Sequence, residues 1–235
     1  MQTVLHTSAS RGLTAAGWLV GRHSFSFNQW YNPERVQFGA LRVLNDDLIT
    51  AGQGFPPHQH ENMEIVTIPL KGAVAHEDSS GGKGIVSAGE VQIMSAGTGV
   101  THSEFNASAT ESLELLQIWV LPAQQGLPPR YEEQKFEPAT PNTWQLLVSP
   151  DAEAGSLKIF QQAWFARVCI TPDTQVVYNL HGQGQGLYVF VIEGRVDVAG
   201  QLLVRRDGLE VRDATSVEIA ALADASVLII EVPLR

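Results

Sequence analysis

Two stretches decide the fold: Ile65-Val-Thr-Ile-Pro-Leu-Lys-Gly72-Ala-Val74 and Leu187-Tyr-Val-Phe-Val-Ile-Glu-Gly194-Arg-Val196. Each is an apolar, largely β-branched or aromatic strand, then a charged residue, a turn glycine and the start of another strand. They read as an internal repeat of two similar β units. Outward from the first, residues 39–44 and 48–51 flank Asn45-Asp46-Asp47, a composition that predicts a turn. Residues 85–86, 91–94 and 113–121 are further short apolar runs, separated by glycine-containing turns. Around the second, residues 156–169, 175–180, 187–193, 195–198 and 227–232 predict strands, with Ala199-Gly200 as a hairpin turn. The first half sustains no 3.6-residue period, so the chain is expected to be all-β, a sandwich or barrel.

Between the two units the composition changes. Six of the 12 prolines fall in residues 122–157: Pro122, Pro128, Pro129, Pro138, Pro141 and Pro150. Proline removes a backbone donor and favours extended connectors. The expected organisation is one domain over 1–125, a proline-rich connection over 126–155, and a second domain over 156–235 packed with the N-terminal residues.

The 235 residues are 44% hydrophobic and 17% charged, a globular composition, with a formal net charge of −10. Residues 1–125 and 126–235 each carry −5, so neither half offers the cationic face that nucleic-acid binding needs. Cys169 is the sole cysteine, which excludes an intrachain disulfide and fits a reducing compartment. There is neither a signal-like N-terminus nor a membrane-length apolar run, so a cytoplasmic location is expected.

Two pairs of donor residues carry the chemistry. His58 and His60 are two apart before a strong strand, so both imidazoles share a face. His102 and Glu104 are also two apart, after Gly97-Thr-Gly99. Brought side by side, three imidazoles and a carboxylate suit a divalent transition metal with positions left open. Glu64 has the same parity as His58 and His60, and spacing alone does not decide between it and Glu104.

These residues carry a family resemblance. Gly52-x5-His58-x-His60-x3-Glu64-x7-Gly72 resembles the first cupin motif, and Gly89-x5-Ser95-x-Gly97-x4-His102-x3-Asn106 the second. Together with His23-Ser-Phe-Ser-Phe27, Leu41-Arg-Val-Leu-Asn-Asp-Asp47, His76-Glu-Asp-Ser79 and Gln92-Ile-Met-Ser-Ala-Gly-Thr-Gly99, the sequence looks most like bacterial pirins described as quercetin 2,3-dioxygenases. The resemblance implies two cupin barrels, with metal held in the first by His58, His60, His102 and Glu104. It also implies cleavage of flavonols such as quercetin by O2 with release of carbon monoxide. Glu104 would then double as the catalytic base, with Glu64 behind the ligands or in the pocket. Fe(II) is the expected ion; Ni, Cu, Co, Mn or Zn would also suit the ligand set. A metal-binding regulator with a protein partner is the alternative, and a monomer is expected.

Aligning Gly194 with Gly72 puts Leu180 opposite His58, Gly182 opposite His60 and Gly186 opposite Glu64. Aligning Gly208 with Gly89 puts Ala221 opposite His102 and Ala223 opposite Glu104. The second barrel is therefore expected to be metal-free, with His181 at a surface or interface. Among the remaining candidates, His23 is expected to pack in an aromatic cluster with Trp18, Phe25, Phe27 and Trp30. Trp119 and Cys169 are expected in the core, and Phe55 is a candidate cavity wall. Arg42 is expected near a carboxylate, and Glu132-Glu133 on a solvated face; His76 is a weaker pocket candidate.

Overall fold

The computed structural model describes residues 1–234. The strands, in chain order, are β1 (Gln2–His6), β2 (Gly12–Ala15), β3 (Leu19–His23), β4 (Leu41–Ile49), β5 (Gly54–His60), β6 (Glu64–Lys71), β7 (Ala73–Asp78), β8 (Lys83–Ser87), β9 (Glu90–Ser95), β10 (Val100–Asn106), β11 (Leu113–Val120) and β12 (Arg130–Lys135). The second half contributes β13 (Gln145–Ser149), β14 (Leu157–Lys158), β15 (Trp164–Ile170), β16 (Gln175–Asn179), β17 (Gln185–Glu193), β18 (Arg195–Val198), β19 (Gln201–Val204), β20 (Gly208–Arg212), β21 (Ser216–Ala221) and β22 (Ala225–Pro233). No helix of the described residues is long and apolar enough to cross a membrane.

Each half folds into a barrel made of a seven-stranded and a four-stranded sheet. The first has orders β12-β9-β6-β11-β4-β3-β2 and β5-β10-β7-β8. The second has β1-β20-β17-β22-β15-β13-β14 and β16-β21-β18-β19. The repeat read from sequence is thus architectural, with β6–β7 answering β17–β18. Gly72 (φ +79°) and Gly194 (φ +91°) make the same left-handed joint between them, a conformation that suits glycine.

Strands cross between the two halves of the chain. β1 pairs with β20 of the second barrel, while β12, within the proline-rich stretch, pairs with β9 of the first. β13, also in that stretch, joins the second barrel through β15. Prolines 128, 129, 138 and 141 sit around these strands rather than within them.

Strand alternation builds the core. On β6, Val66 and Ile68 face outward from the barrel, and Leu116, Ile118 and Val120 do the same on β11. They meet Phe165, Tyr188, Phe190, Leu228 and Ile230 of the other seven-stranded sheet in one continuous apolar cluster. Ile65, Thr67, Leu115 and Gln117 have the opposite parity and face the barrel interior.

Polar contacts reinforce this seam. Arg206 donates to Asp46 Oδ1 at 3.1 Å, and Arg11 donates to Asp46 Oδ2 at 3.1 Å. Glu64 Oε2 accepts from Ser95 Oγ at 2.9 Å and from the Phe160 amide at 3.1 Å. Glu64 therefore bridges the barrels and does not line the cavity as its parity suggested.

Four further expectations are corrected. Asn45-Asp46-Asp47 is not a turn but the middle of the nine-residue β4. Residues 156–169 do not form one strand; β14 and β15 are separated by a loop. Cys169 is exposed, because alternation along β15 turns it away from the core that holds Val168 and Ile170. Among the described residues Arg42 meets no carboxylate and donates instead to the carbonyls of Ser26 and Val36, at 2.9 and 3.0 Å.

Gly39 pins the start of β4 against the end of β22. Its φ is +53°, and any Cβ would collide with the Pro233 carbonyl oxygen that the Ala40 amide bonds at 2.9 Å. Gly39→Ala is expected to lower stability by about 2–3 kcal/mol, from left-handed strain plus displacement of this contact. Because the barrels share a core, denaturant unfolding followed by tryptophan fluorescence and circular dichroism should shift as a single transition.

Candidate metal centre

The histidines predicted from spacing come together inside the first barrel. β5 and β10 are antiparallel neighbours with His102 opposite His58. The rings of His58, His60 and His102 lie 4.4–4.9 Å apart between centroids, and their donor nitrogens fall within 4.8 Å of one another. Glu104 falls in a second such cluster, with His102 and His76. His102 thus links the imidazole trio to the carboxylate.

Electrostatics favour neutral rings. Burial first, and then the neighbouring His58, push His60 down to about 4. Burial and the surrounding histidines push His102 down to about 3. Neutral imidazoles offer lone pairs at ordinary pH. His58 Nδ1 donates to the Pro56 carbonyl at 2.8 Å, so Nε2 carries the lone pair in the neutral ring.

That Nε2 lies 3.0 Å from His102 Nε2. Cis ligands held about 2.1 Å from one metal ion are separated by about 3.0 Å, so the spacing suits a shared cation. The His102 tautomers support this. A proton on Nε2 leaves the buried Nδ1 lone pair without a donor. A proton on Nδ1 leaves that N–H without an acceptor and sets two lone pairs face to face. A divalent cation between the Nε2 atoms relieves the second conflict, so the donor set fits a metal.

Glu104 is buried and clasped by amides and a hydroxyl. Gln117 Nε2 donates to Oε2 at 2.7 Å, while Thr67 Oγ1 and Gln92 Nε2 reach Oε1 at 3.2 and 3.4 Å. Desolvation raises its proton affinity, opposed by His76, Thr67, His58 and Gln117. Gln92 also donates to His76 Nδ1 at 3.2 Å, so His76 Nε2 donates to Asp78 at 2.9 Å. The His76 ring stacks on Tyr131 at 4.5 Å and is not among the residues that line the cavity.

A cavity of about 300 Å3 opens onto the histidines. Phe27, Phe55, Ile65 and Trp119 supply apolar wall, and His23, Asn45 and Asp47 a polar strip. Phe55 thus lies where it was expected. Trp119 is a cavity wall rather than core, edge-on to His60 at 4.8 Å and to Phe27 at 5.4 Å. His23 both packs on Phe27 and lines the cavity, bonding Thr14 and Asn45 at 2.8 Å each. Burial pushes the Asp47 carboxyl up to about 8, helped by Asp46 and Glu104. Glu133, by contrast, only accepts from Tyr131 at an exposed edge.

Sequence reading passed over Thr67, Gln92, Gln117 and the cavity role of Asp47. The available signal was a lone amide within an apolar run, as in Val91-Gln92-Ile93 and Leu116-Gln117-Ile118.

Comparing registers shows how the second barrel differs. Thr67 lies opposite Gln92 and Gln117; its counterpart Val189 lies opposite Leu209 and Ile229. Glu104 lies opposite His76, whereas Ile219 lies opposite Val198. His58 faces His102, whereas Tyr178 faces Val217. The sequence alignment of the second barrel was therefore displaced by two residues on β16 and four on β21. Both shifts are even, so parity hid them. Beyond β16, His181 is half-exposed, stacked on Trp164 at 4.1 Å and bonded to the buried Glu231 at 2.8 Å.

Fold and site define a two-barrel cupin with a metal-ligand cluster in one barrel. The chain belongs to the pirin family: residues 6–120 match the pirin domain, and residues 146–232 match the quercetinase C-terminal cupin domain. It is 44% identical over 229 residues to quercetin 2,3-dioxygenase of Escherichia coli K12, covering 97% of this chain and 98% of that one. It is 37% identical over 220 residues to a pirin-like protein of Caulobacter vibrioides, covering 92% and 93%. The crystal structure of the bacterial pirin YhhW from E. coli in complex with nickel(II) superposes with a TM-score of 0.94, at 43% identity over all of both chains.

Converting the polar layer to that of the second barrel tests its role. The triple variant Thr67→Val, Gln92→Leu, Gln117→Ile is expected to fold but to bind Ni(II) or Zn(II) about 100-fold more weakly. Competition against a chelator of known affinity measures the loss, and a thermal melt checks the fold.

Proposed function

We propose that the chain is a metal-dependent dioxygenase that cleaves flavonols such as quercetin with O2 and releases carbon monoxide. His58, His60, His102 and Glu104 hold one divalent transition ion in this reading. The observation that carries it is the 3.0 Å approach of His58 and His102 Nε2 at the head of an apolar cavity. The 44% identity to a quercetin 2,3-dioxygenase supplies the substrate class.

When bound, the ion supplies Lewis acidity towards the flavonol enol oxygen. The protein's own residues do the rest. Three neutral imidazoles and one carboxylate leave a net positive site, which favours a deprotonated 3-oxygen. In this reading Glu104 is also the carboxylate that takes the 3-hydroxyl proton. Gln117 and Thr67 keep its carboxylate oriented while the proton moves. Phe27, Phe55 and Trp119 provide flat apolar wall for a planar ligand and exclude water from it.

Protein reloaded with Fe(II), Ni(II), Cu(II) or Co(II) should consume quercetin aerobically and release carbon monoxide in equal amount. His102→Ala should fall to background, and Glu104→Gln should lose turnover. Carbon monoxide absent with every ion, from protein shown to hold metal, would refute the oxygenase reading and leave a metal-binding interaction protein.

A further inference from the structure

Asp47 has no evident use in metal binding, yet it lies buried on the cavity wall. Its Oδ1 has no hydrogen-bond partner among the described residues. Its neighbour Asp46 takes both Arg11 and Arg206, so those cations are committed on the other face of β4. Burying a carboxyl oxygen without a partner costs free energy unless something else bonds it. The backbone also makes room for it. Gly21 lies opposite Asp47 on β3, and a Cβ there would come within 2.7 Å of Oδ1.

Strand register locates Asp47 relative to the metal centre. On the β4–β11 pair, Val43 faces Trp119, Asn45 faces Gln117 and Asp47 faces Leu115. Trp119 touches His60, and Gln117 holds Glu104. Asp47 is thus four strand residues beyond the level of Trp119, about 13 Å along the barrel. A single aromatic ring held at the histidines falls short of it; an extended ligand of two or three rings reaches it. Asn45, one step nearer, has its amide oxygen already engaged by His23 Nδ1 at 2.8 Å.

We propose that Asp47 is a specificity-determining residue, whose carboxyl, unbonded by any other described residue, accepts a hydrogen bond from a hydroxyl at the end of an extended hydroxylated arene remote from the histidines. This rests on the flavonol reading above and adds that ring hydroxyls, not only the 3-hydroxy-4-keto head, are selected. The chemistry is asymmetric. A ligand lacking that hydroxyl leaves the carboxyl buried and unpaired, so discrimination is against the deoxy analogue.

The test is anaerobic binding to the Zn(II)-loaded full chain, by titration calorimetry, of quercetin and of 3-hydroxyflavone. The latter has the same head and no ring hydroxyls. Wild type should prefer quercetin by about tenfold, the worth of one good hydrogen bond. Asp47→Val should reduce the preference to about threefold or less without weakening 3-hydroxyflavone. Asp47→Asn, which keeps an acceptor oxygen, should retain most of it. Gly21→Ala, which displaces the carboxyl, should lower it if the valine variant does not fold. Equal binding of both ligands to wild type, or a preference unchanged in Asp47→Val, would overturn the proposal and leave the flavonol reading standing. Failure of wild type to bind either ligand would overturn both.

Discussion

The apolar seam between the two seven-stranded sheets is the constraint on which the rest depends. Val66, Ile68, Leu116 and Ile118 project from one barrel into Phe165, Phe190, Leu228 and Ile230 of the other. Because strands alternate, committing these residues to the seam commits Thr67, Gln92 and Gln117 to the barrel interior. A one-residue slip on β6 would bury the threonine in the seam and turn Val66 towards Glu104. The large apolar seam thus holds the register on which the small polar site relies. The chain crossing strengthens the arrangement: β1 completes the second barrel and β12 the first, so neither sheet is whole without a strand from outside its own half.

With the interior freed from carrying the seam, the two barrels could fill it differently. The second packs the corresponding layer with Val189, Leu209, Val217, Ile219 and Ile229, all of them apolar. The first gives the corresponding layer to Thr67, Gln92 and Gln117 around a buried carboxylate. Buried polar groups contribute little net stability even when paired, and destabilise when unpaired. The first barrel accepts that cost and a cavity besides, and the shared seam offsets both. The division explains why one architecture occurs twice in the chain while the metal-ligand cluster lies in the first barrel.

Much of this was legible in the sequence, for reasons that differ by feature. The repeat around Gly72 and Gly194 was readable because a left-handed joint between apolar strands leaves a glycine behind. His58, His60 and His102 were readable because ligands on a strand must keep parity. Register was not readable in the second barrel, since valine, isoleucine and alanine fill its interior interchangeably and a shift of two or four residues preserves the pattern. β4 was misread because Asn45-Asp46-Asp47 has turn composition, and only the tertiary partners reveal its purpose. Arg11 and Arg206 satisfy Asp46 from outside the barrel, His23 holds Asn45 on the inside, and both arginines come from distant parts of the chain. Trp119 looked like core because the apolar run around it is indistinguishable from one that fills a barrel completely.

The electrostatic character of the site follows from the same geometry. A chain with net charge −10 would be expected to hold histidines protonated near neutrality, since distant carboxylates favour the cation. The barrel reverses that tendency locally. Burial removes water from His60 and His102, and the neighbouring His58 ring further disfavours protonation of both. Desolvation works in the opposite direction on Glu104 and Asp47, raising the proton affinity of both carboxyls. The interior therefore drives cationic and anionic groups alike towards their neutral forms. A divalent cation would affect the two kinds of group differently: it would be bound by the lone pairs of neutral imidazoles, and it would favour ionised Glu104. Asp47, farther along the barrel, lies outside that cluster. The cavity thus has a metal-compatible head and a hydrogen-bonding far end within one barrel, separated by a few strand residues and built from the same alternation that sets the seam.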